Sequence, residues 1–166
     1  MTREVEISRG LDEIERAPIA ALLAGTGFFN PEELAVALEL VDDRLAHGAA
    51  SHYRFLVARV AGEVAGYGCW GPIPGTLASA DFYWLAVDPR VQGRGIGRAL
   101  MAATERWMAE EGRPRVYLET ATRPQYAPTR AFYLACGYTL LAELPDYYAP
   151  GDGKAIFFKL LSPEAR

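Results

Sequence analysis

The sequence predicts a mixed α+β domain, a mostly antiparallel sheet of about seven strands with one parallel crossover, flanked by about four helices. Three observations carry that expectation. Short aromatic and β-branched runs recur between turn residues, which is a strand pattern. Tyr53 to Trp70 reads as two strands joined at Ala61-Gly62-Glu63, a β-hairpin. Phe82 to Thr120 reads as strand, glycine-rich turn, helix and strand; such a crossover is right-handed and makes its strands parallel.

Taken in order, Glu4 to Arg9 alternates polar and apolar and reads as an edge strand. Leu11 to Ala24 is a helix with apolar Leu11, Ile14, Ile19, Leu22 and Leu23, and Pro18 predicts a break or kink near Ala17. Gly25 to Phe29 is a turn carrying two aromatics. Asn30-Pro31-Glu32-Glu33 starts a helix: Asn30 caps it, Pro31 suits the first position and Glu33 completes a capping box. Leu34, Ala37, Leu38, Val41 and Leu45 form its stripe, and Gly48 ends it. Tyr53 to Val60 and Val64 to Trp70 are the hairpin strands; Gly66 and Gly68 predict a bulge or a close backbone approach.

Phe82 to Val87 is a buried strand stopped by Asp88-Pro89. Gly93, Gly95 and Gly97 follow, and Leu100, Met101, Thr104, Trp107 and Met108 then recur on one helical face. Gly112-Arg113-Pro114 closes that helix, and Arg115 to Thr120 is the next strand. Thr122 to Ala127 reads as loop, Pro128 to Ala135 as a short helix ended by Cys136-Gly137. Tyr138 to Leu144 and Ala155 to Leu160 are strands, separated by a turn-rich loop from Pro145 to Gly153.

At 166 residues the chain is read as one domain, residues 1–166. Its 51% hydrophobic and 23% charged residues are ordinary for a soluble globular protein. A net charge of −4 gives no basic footprint for nucleic acid. Two cysteines, Cys69 and Cys136, both inside expected elements, suggest a reducing, cytoplasmic compartment. The first residues lack an apolar signal region, and no run approaches membrane-spanning length. His47 and His52 stand apart from any Cys or Asp cluster, so no metal site is expected.

The strand–glycine–helix stretch is a local design for holding a phosphate. The first N–H groups of a helix have no intrahelical partner, and the helix dipole adds positive charge there. Glycines let a pyrophosphate approach the backbone, and Arg94 and Arg98 add charge beside it. A dinucleotide site shares these features, but its glycine spacing fails: counted from Gly93 the third glycine position is Arg98, and counted from Gly95 it is Leu100.

Gln92-Gly93-Arg94-Gly95-Ile96-Gly97, preceded by Leu85-Ala86-Val87 and followed by Ala131-Phe132-Tyr133 and Gly137-Tyr138, resembles the GNAT superfamily of acetyl-CoA-dependent N-acetyltransferases. The resemblance covers roughly Arg54 to Leu160. It implies acetyl-CoA as co-substrate, with Gln92 to Arg98 on the pyrophosphate and Leu85, Ala86 and Val87 beside the pantetheine arm. Tyr126 stands where many relatives carry an asparagine that contacts that arm. Tyr133 falls where similar enzymes place the acid that protonates the leaving thiolate; otherwise it is a core aromatic. Glu119 is the candidate base, directly or through water, or else a carboxylate paired with an arginine such as Arg123. Phe28, Phe29, Tyr83 and Tyr147 are candidates for the acceptor side by position, Phe28 and Phe29 being either a staple with core contacts or a lid. The implied partner is a small amine or a peptide, with room for a homodimer. A non-catalytic acyl-CoA-binding domain on the same fold is the alternative.

Overall fold

The computed structural model describes residues 4–162. Its elements are β1 (Val5–Arg9), α1 (Arg16–Gly25), α2 (Pro31–His47), β2 (Arg54–Val60), β3 (Glu63–Pro72), β4 (Ser79–Val87), α3 (Ile96–Glu110), β5 (Arg115–Ala121), α4 (Ala127–Ala135), β6 (Thr139–Ala149) and β7 (Asp152–Leu160). The seven strands of the described residues form one sheet in the order β1-β2-β3-β4-β5-β7-β6. β4 and β5 are the parallel pair, and β1–β2, β2–β3, β5–β7 and β6–β7 are antiparallel. This is the fold class expected from the sequence. The contacts divide the chain into two compact units: residues up to Gly71 with Trp84–Thr104, and Pro72–Tyr83 with residues from Glu105 on.

In the first unit, Ala61 and Gly62 turn the β2–β3 hairpin with φ of 53° and 82°. Positive φ at both positions is what a two-residue hairpin needs to match strand twist. The register shifts at Ala58/Arg59, and a Cβ on Gly66 would lie 2.8 Å from the Ala86 carbonyl oxygen. A bulge at Ala65 thus adjoins Gly66, and Gly66 also shows the close backbone approach. Asn30 caps α2 by accepting from the Glu33 N–H at 2.8 Å, and Glu33 accepts from the Asn30 N–H at 2.9 Å. Such a cap stabilises by about 1 kcal/mol. Ile19, Leu23, Val41, Phe55, Leu56, Val57 and Tyr67 are buried, with Phe55 and Tyr67 stacked at 5.9 Å.

Two expectations fail here. Pro18 causes no break near Ala17: a 3-10 turn over Glu13–Glu15 precedes α1, so Pro18 falls in the first turn of α1, where no N–H is needed. Ile14 leaves the apolar stripe and is 83% exposed. The 3-10 turn directs Glu15 inward instead, where its carboxylate pairs with Arg59 and accepts from the Asp12 N–H.

In the second unit, β4 begins at Ser79, earlier than the expected Phe82, because Ser79–Phe82 pairs with Arg115–Leu118. Val116, Leu118, Met108, Ala155 and Phe157 are buried. The loop expected over residues 145–153 is mostly strand: β6 continues to Ala149 and β7 starts at Asp152. A register shift between Leu144 and Ala149 absorbs Pro145, and Asp146, at φ 56°, accepts from the Gly151 N–H at 2.7 Å.

Candidate active site

The glycine-rich turn lies in the first unit. Val87 ends β4, and Asp88 folds the chain back by accepting from the Arg90 N–H at 2.8 Å. The Asp88 N–H is held by the Ala65 carbonyl at 2.8 Å. The Gln92 side-chain amide donates to the Val87 carbonyl at 3.1 Å, which ties the turn to the strand. Gly93 and Gly95 take φ of 77° and 78°, and an added Cβ at either would meet nothing within 4 Å. Glycine is thus required there by backbone conformation, while the space beside it stays open. α3 starts at Ile96, which is buried, with Gly95 accepting the first helical bond from Ala99 at 3.0 Å. Gln92, Gly93, Arg94, Gly95 and Arg98 are exposed and Gly97 is half-buried. The turn therefore presents main-chain N–H groups at a helix start, flanked by two guanidinium groups, which suits a diphosphate.

Leu85 and Val87 are half-buried and Ala86 is buried. Of the acceptor-side candidates in this unit, Phe28 and Phe29 meet edge to face at 5.7 Å, and Phe29 meets Trp84 at 5.1 Å. The turn between α1 and α2 is thus anchored on β4 by an aromatic that sequence reading had left out.

The second unit holds the other candidates. Tyr133 on α4 is 9% exposed, among the rings of Phe132, Tyr138 and Phe157 at 5.8, 6.2 and 5.9 Å. Burial pushes its hydroxyl well above the ordinary tyrosine value. Tyr126 is buried at the end of a 3-10 turn that leads into α4, with the Arg123 guanidinium 4.7 Å over its ring. Arg130 fixes that turn by donating to the carbonyls of Ala121 at 2.8 Å and Arg123 at 3.2 Å.

Glu119 does not pair with Arg123, whose guanidinium goes to Asp152 at 2.9 Å. Its partner is Lys154, with Nζ to Oε2 at 2.5 Å. The register explains this. Glu119 pairs with Ile156 and Ala121 with Lys154, so Glu119 and Lys154 share a sheet face two residues apart. Asp81 joins them from β4, where it stands opposite Tyr117, two residues before Glu119. Burial first, then the charge of Glu119, push the Asp81 carboxyl above its ordinary value, while Lys154 opposes the rise. Lys154 also lies 4.5 Å from the centroid of the Tyr147 ring. Burial alone would lower its pKa, but the hydrogen bond and charge of Glu119, with Tyr147, hold it above the ordinary lysine value. Burial likewise raises the Tyr148 hydroxyl. Tyr83 is half-buried on β4.

Asp81 and Lys154 were missed in the sequence. Asp81 precedes the strand expected from Phe82, and Lys154 falls between the expected loop, which ends at Gly153, and the strand expected from Ala155. Only the sheet register joins them. Among the described residues no group of His, Cys, Asp and Glu is arranged to hold a metal.

A family model described as "Acetyltransferase (GNAT) family" matches residues 23–138. A solved GNAT-family protein from Desulfovibrio desulfuricans is 39% identical, with 96% of this chain and all of that one covered at a TM-score of 0.92. A Salmonella typhimurium protein solved with its cofactor acetyl-CoA shares the fold at 18% identity and a TM-score of 0.73, covering 98% of this chain and 97% of that one. Mycothiol acetyltransferase of Clavibacter sepedonicus is 36% identical over 101 residues, 59% of this chain and 32% of its own length. The chain spans less than half the length of the curated relatives it matches.

Proposed function

The chain belongs to the acetyltransferase (GNAT) family, and on that premise we propose that it transfers an acetyl group from acetyl-CoA to a primary amine. The acceptor is a small amine or the N-terminus of a peptide. The observation that carries this reading is the turn from Gln92 to Arg98: two glycines at positive φ with open space beside them, at the start of α3, flanked by Arg94 and Arg98. In this reading the main chain of Gln92–Arg98 holds the diphosphate, and Leu85, Ala86 and Val87 run beside the pantetheine arm.

The amine nitrogen attacks the thioester carbonyl carbon in a ternary complex, the C–S bond breaks, and the amine loses a proton as the thiolate gains one. An amine with a pKa near ~10 is mostly charged at neutral pH, so it must be deprotonated first. Glu119, open to solvent on the sheet face with Asp81 beside it, is the proposed base. Tyr133 is the proposed acid; burial keeps its hydroxyl protonated at neutral pH, so it enters the reaction carrying a proton, although the same burial works against its release. Tyr126 lies near that acid, and Tyr83 and Tyr147 of the same unit are the proposed acceptor-side residues. No helix among the described residues is long and apolar enough to cross a membrane. Neither Cys69 nor Cys136 is in a disulfide, which supports a cytoplasmic location.

Two measurements test the reading: calorimetric titration of CoA, and thiol release from acetyl-CoA with a panel of amines and N-terminal peptides. CoA binding together with acceptor-dependent thiol release is expected. Binding without release for any acceptor would make this a CoA-binding regulatory domain, and no binding would end the proposal.

A further inference from the structure

Lys154 is a titratable group for which the proposed chemistry has no use. Its side chain is only 14% exposed, whereas the Glu119 side chain it grips is 48% exposed. The ammonium is therefore mostly covered, by the Glu119 carboxylate at 2.5 Å and the Tyr147 ring at 4.5 Å. What faces solvent is carboxylate and aromatic ring. Asp81 lies on the same face, close enough to feel both charges. With both acids ionised, two carboxylates against one ammonium leave one net negative charge. A surface of that kind attracts cations, and the number of charges it accommodates is set by what is left uncompensated.

We infer that Lys154 determines acceptor specificity: by cancelling one of two carboxylates, it fits this face to an acceptor bringing one ammonium group rather than several. The inference rests on the proposed placement of the acceptor amine at Glu119. A covered cation suits this role better than recognition of an acceptor carboxylate, which would need the ammonium to be open. It also differs from a purely structural clamp between β5 and β7, because a clamp would hold whatever the acceptor's charge.

The test compares two probes of equal length, hexylamine and 1,6-diaminohexane, by calorimetric titration of the CoA-saturated protein near pH 8. The wild type should bind the diamine no more than about threefold tighter than the monoamine. Lys154→Met should shift the ratio toward the diamine by about tenfold, the size of one uncompensated charge at a partly exposed site. Lys154→Arg should keep the wild-type ratio, and the double variant Lys154→Met with Glu119→Gln should return to it. Circular dichroism melts check that each variant folds. An unchanged ratio in a folded Lys154→Met, or equal weakening of both amines, would overturn the inference and leave the acetyltransfer reading standing. Unaltered binding of both amines in Glu119→Gln and Asp81→Asn would instead show that no acceptor sits on this face, overturning the acceptor placement itself. Failure of either amine to bind wild type or Lys154→Met overturns the cation-accepting character of the face.

Discussion

The turn from Gln92 to Arg98 and the sheet face carrying Asp81, Glu119 and Lys154 are two ways of presenting charge. The turn works with its main chain: Gly93 and Gly95 have no side chain to offer, and their conformation, near φ 77° and 78°, is what glycine alone adopts without strain. The sheet face works with side chains on three strands, where each partner is fixed by register. The first is local, decided within a few neighbouring residues. The second is long-range, since Glu119 and Lys154 are 35 positions apart by their numbers and meet at 2.5 Å. A turn of the first kind suits a ligand that never varies; a face of the second kind can be retuned by one substitution.

The largest effect should come from Tyr133 on α4, outside both regions, where chemistry can be removed without removing binding. Tyr133→Phe keeps the buried ring packed against Tyr138 and Phe157 and deletes only the hydroxyl. We expect kcat to fall by about 100-fold, within the range for a lost general acid, with the Kd for acetyl-CoA nearly unchanged. Stopped-flow thiol release and calorimetry measure the two. An unchanged kcat would remove Tyr133 from the chemistry and leave it as core.

Gly95→Asp attacks the turn itself. A side chain at φ 78° strains the backbone by about 1–2 kcal/mol, and the carboxylate repels a diphosphate. CoA affinity should drop by about 10- to 50-fold, while kcat at saturating acetyl-CoA changes little. If CoA binds the variant as tightly as wild type, the turn is not the cradle.

These regions also differ in how they could be read. Gln92 to Gly97 was legible because a turn and a helix start are encoded by neighbouring residues. The same holds for the Asn30–Glu33 capping box and the hairpin at Ala61-Gly62, each decided within four residues. The pairing of Glu119 was not legible: Arg123 is nearer in sequence, but it turns to Asp152, and Lys154 arrives only because β7 inserts between β5 and β6. Ile14 was misread for a related reason. Its periodicity favours burial, yet the neighbouring Glu15 is drawn inward by Arg59 on β2. Pro145 concealed the extension of β6, since a bulge can carry a proline that a regular ladder excludes.

A smaller effect should follow at the rim of the turn. Arg98 is exposed, so its contribution to diphosphate binding is screened by salt. Arg98→Ala should weaken CoA binding by about threefold at low ionic strength, and the deficit should vanish near 0.5 M salt. A deficit that persists at high salt would mean that Arg98 makes a desolvated contact, which would bring side chains into the recognition by this turn.

The smallest expected effect concerns stability of the sheet face. Burial, with Glu119, raises the Asp81 carboxyl above its unfolded value near ~3.9, so the folded protein binds this proton more tightly than the unfolded chain does. Stability from this group is complete below the unfolded value and is lost as pH rises through the folded one. Asparagine cannot ionise and escapes that loss. Asp81→Asn should therefore melt about 2 °C above wild type at neutral pH, and the gap should close as pH falls toward about 4. Scanning calorimetry across that range reads both parts. A variant that melts below wild type at neutral pH would mean that attraction to Lys154 outweighs burial at Asp81, and the face would then be held together by its charges rather than left with one to offer.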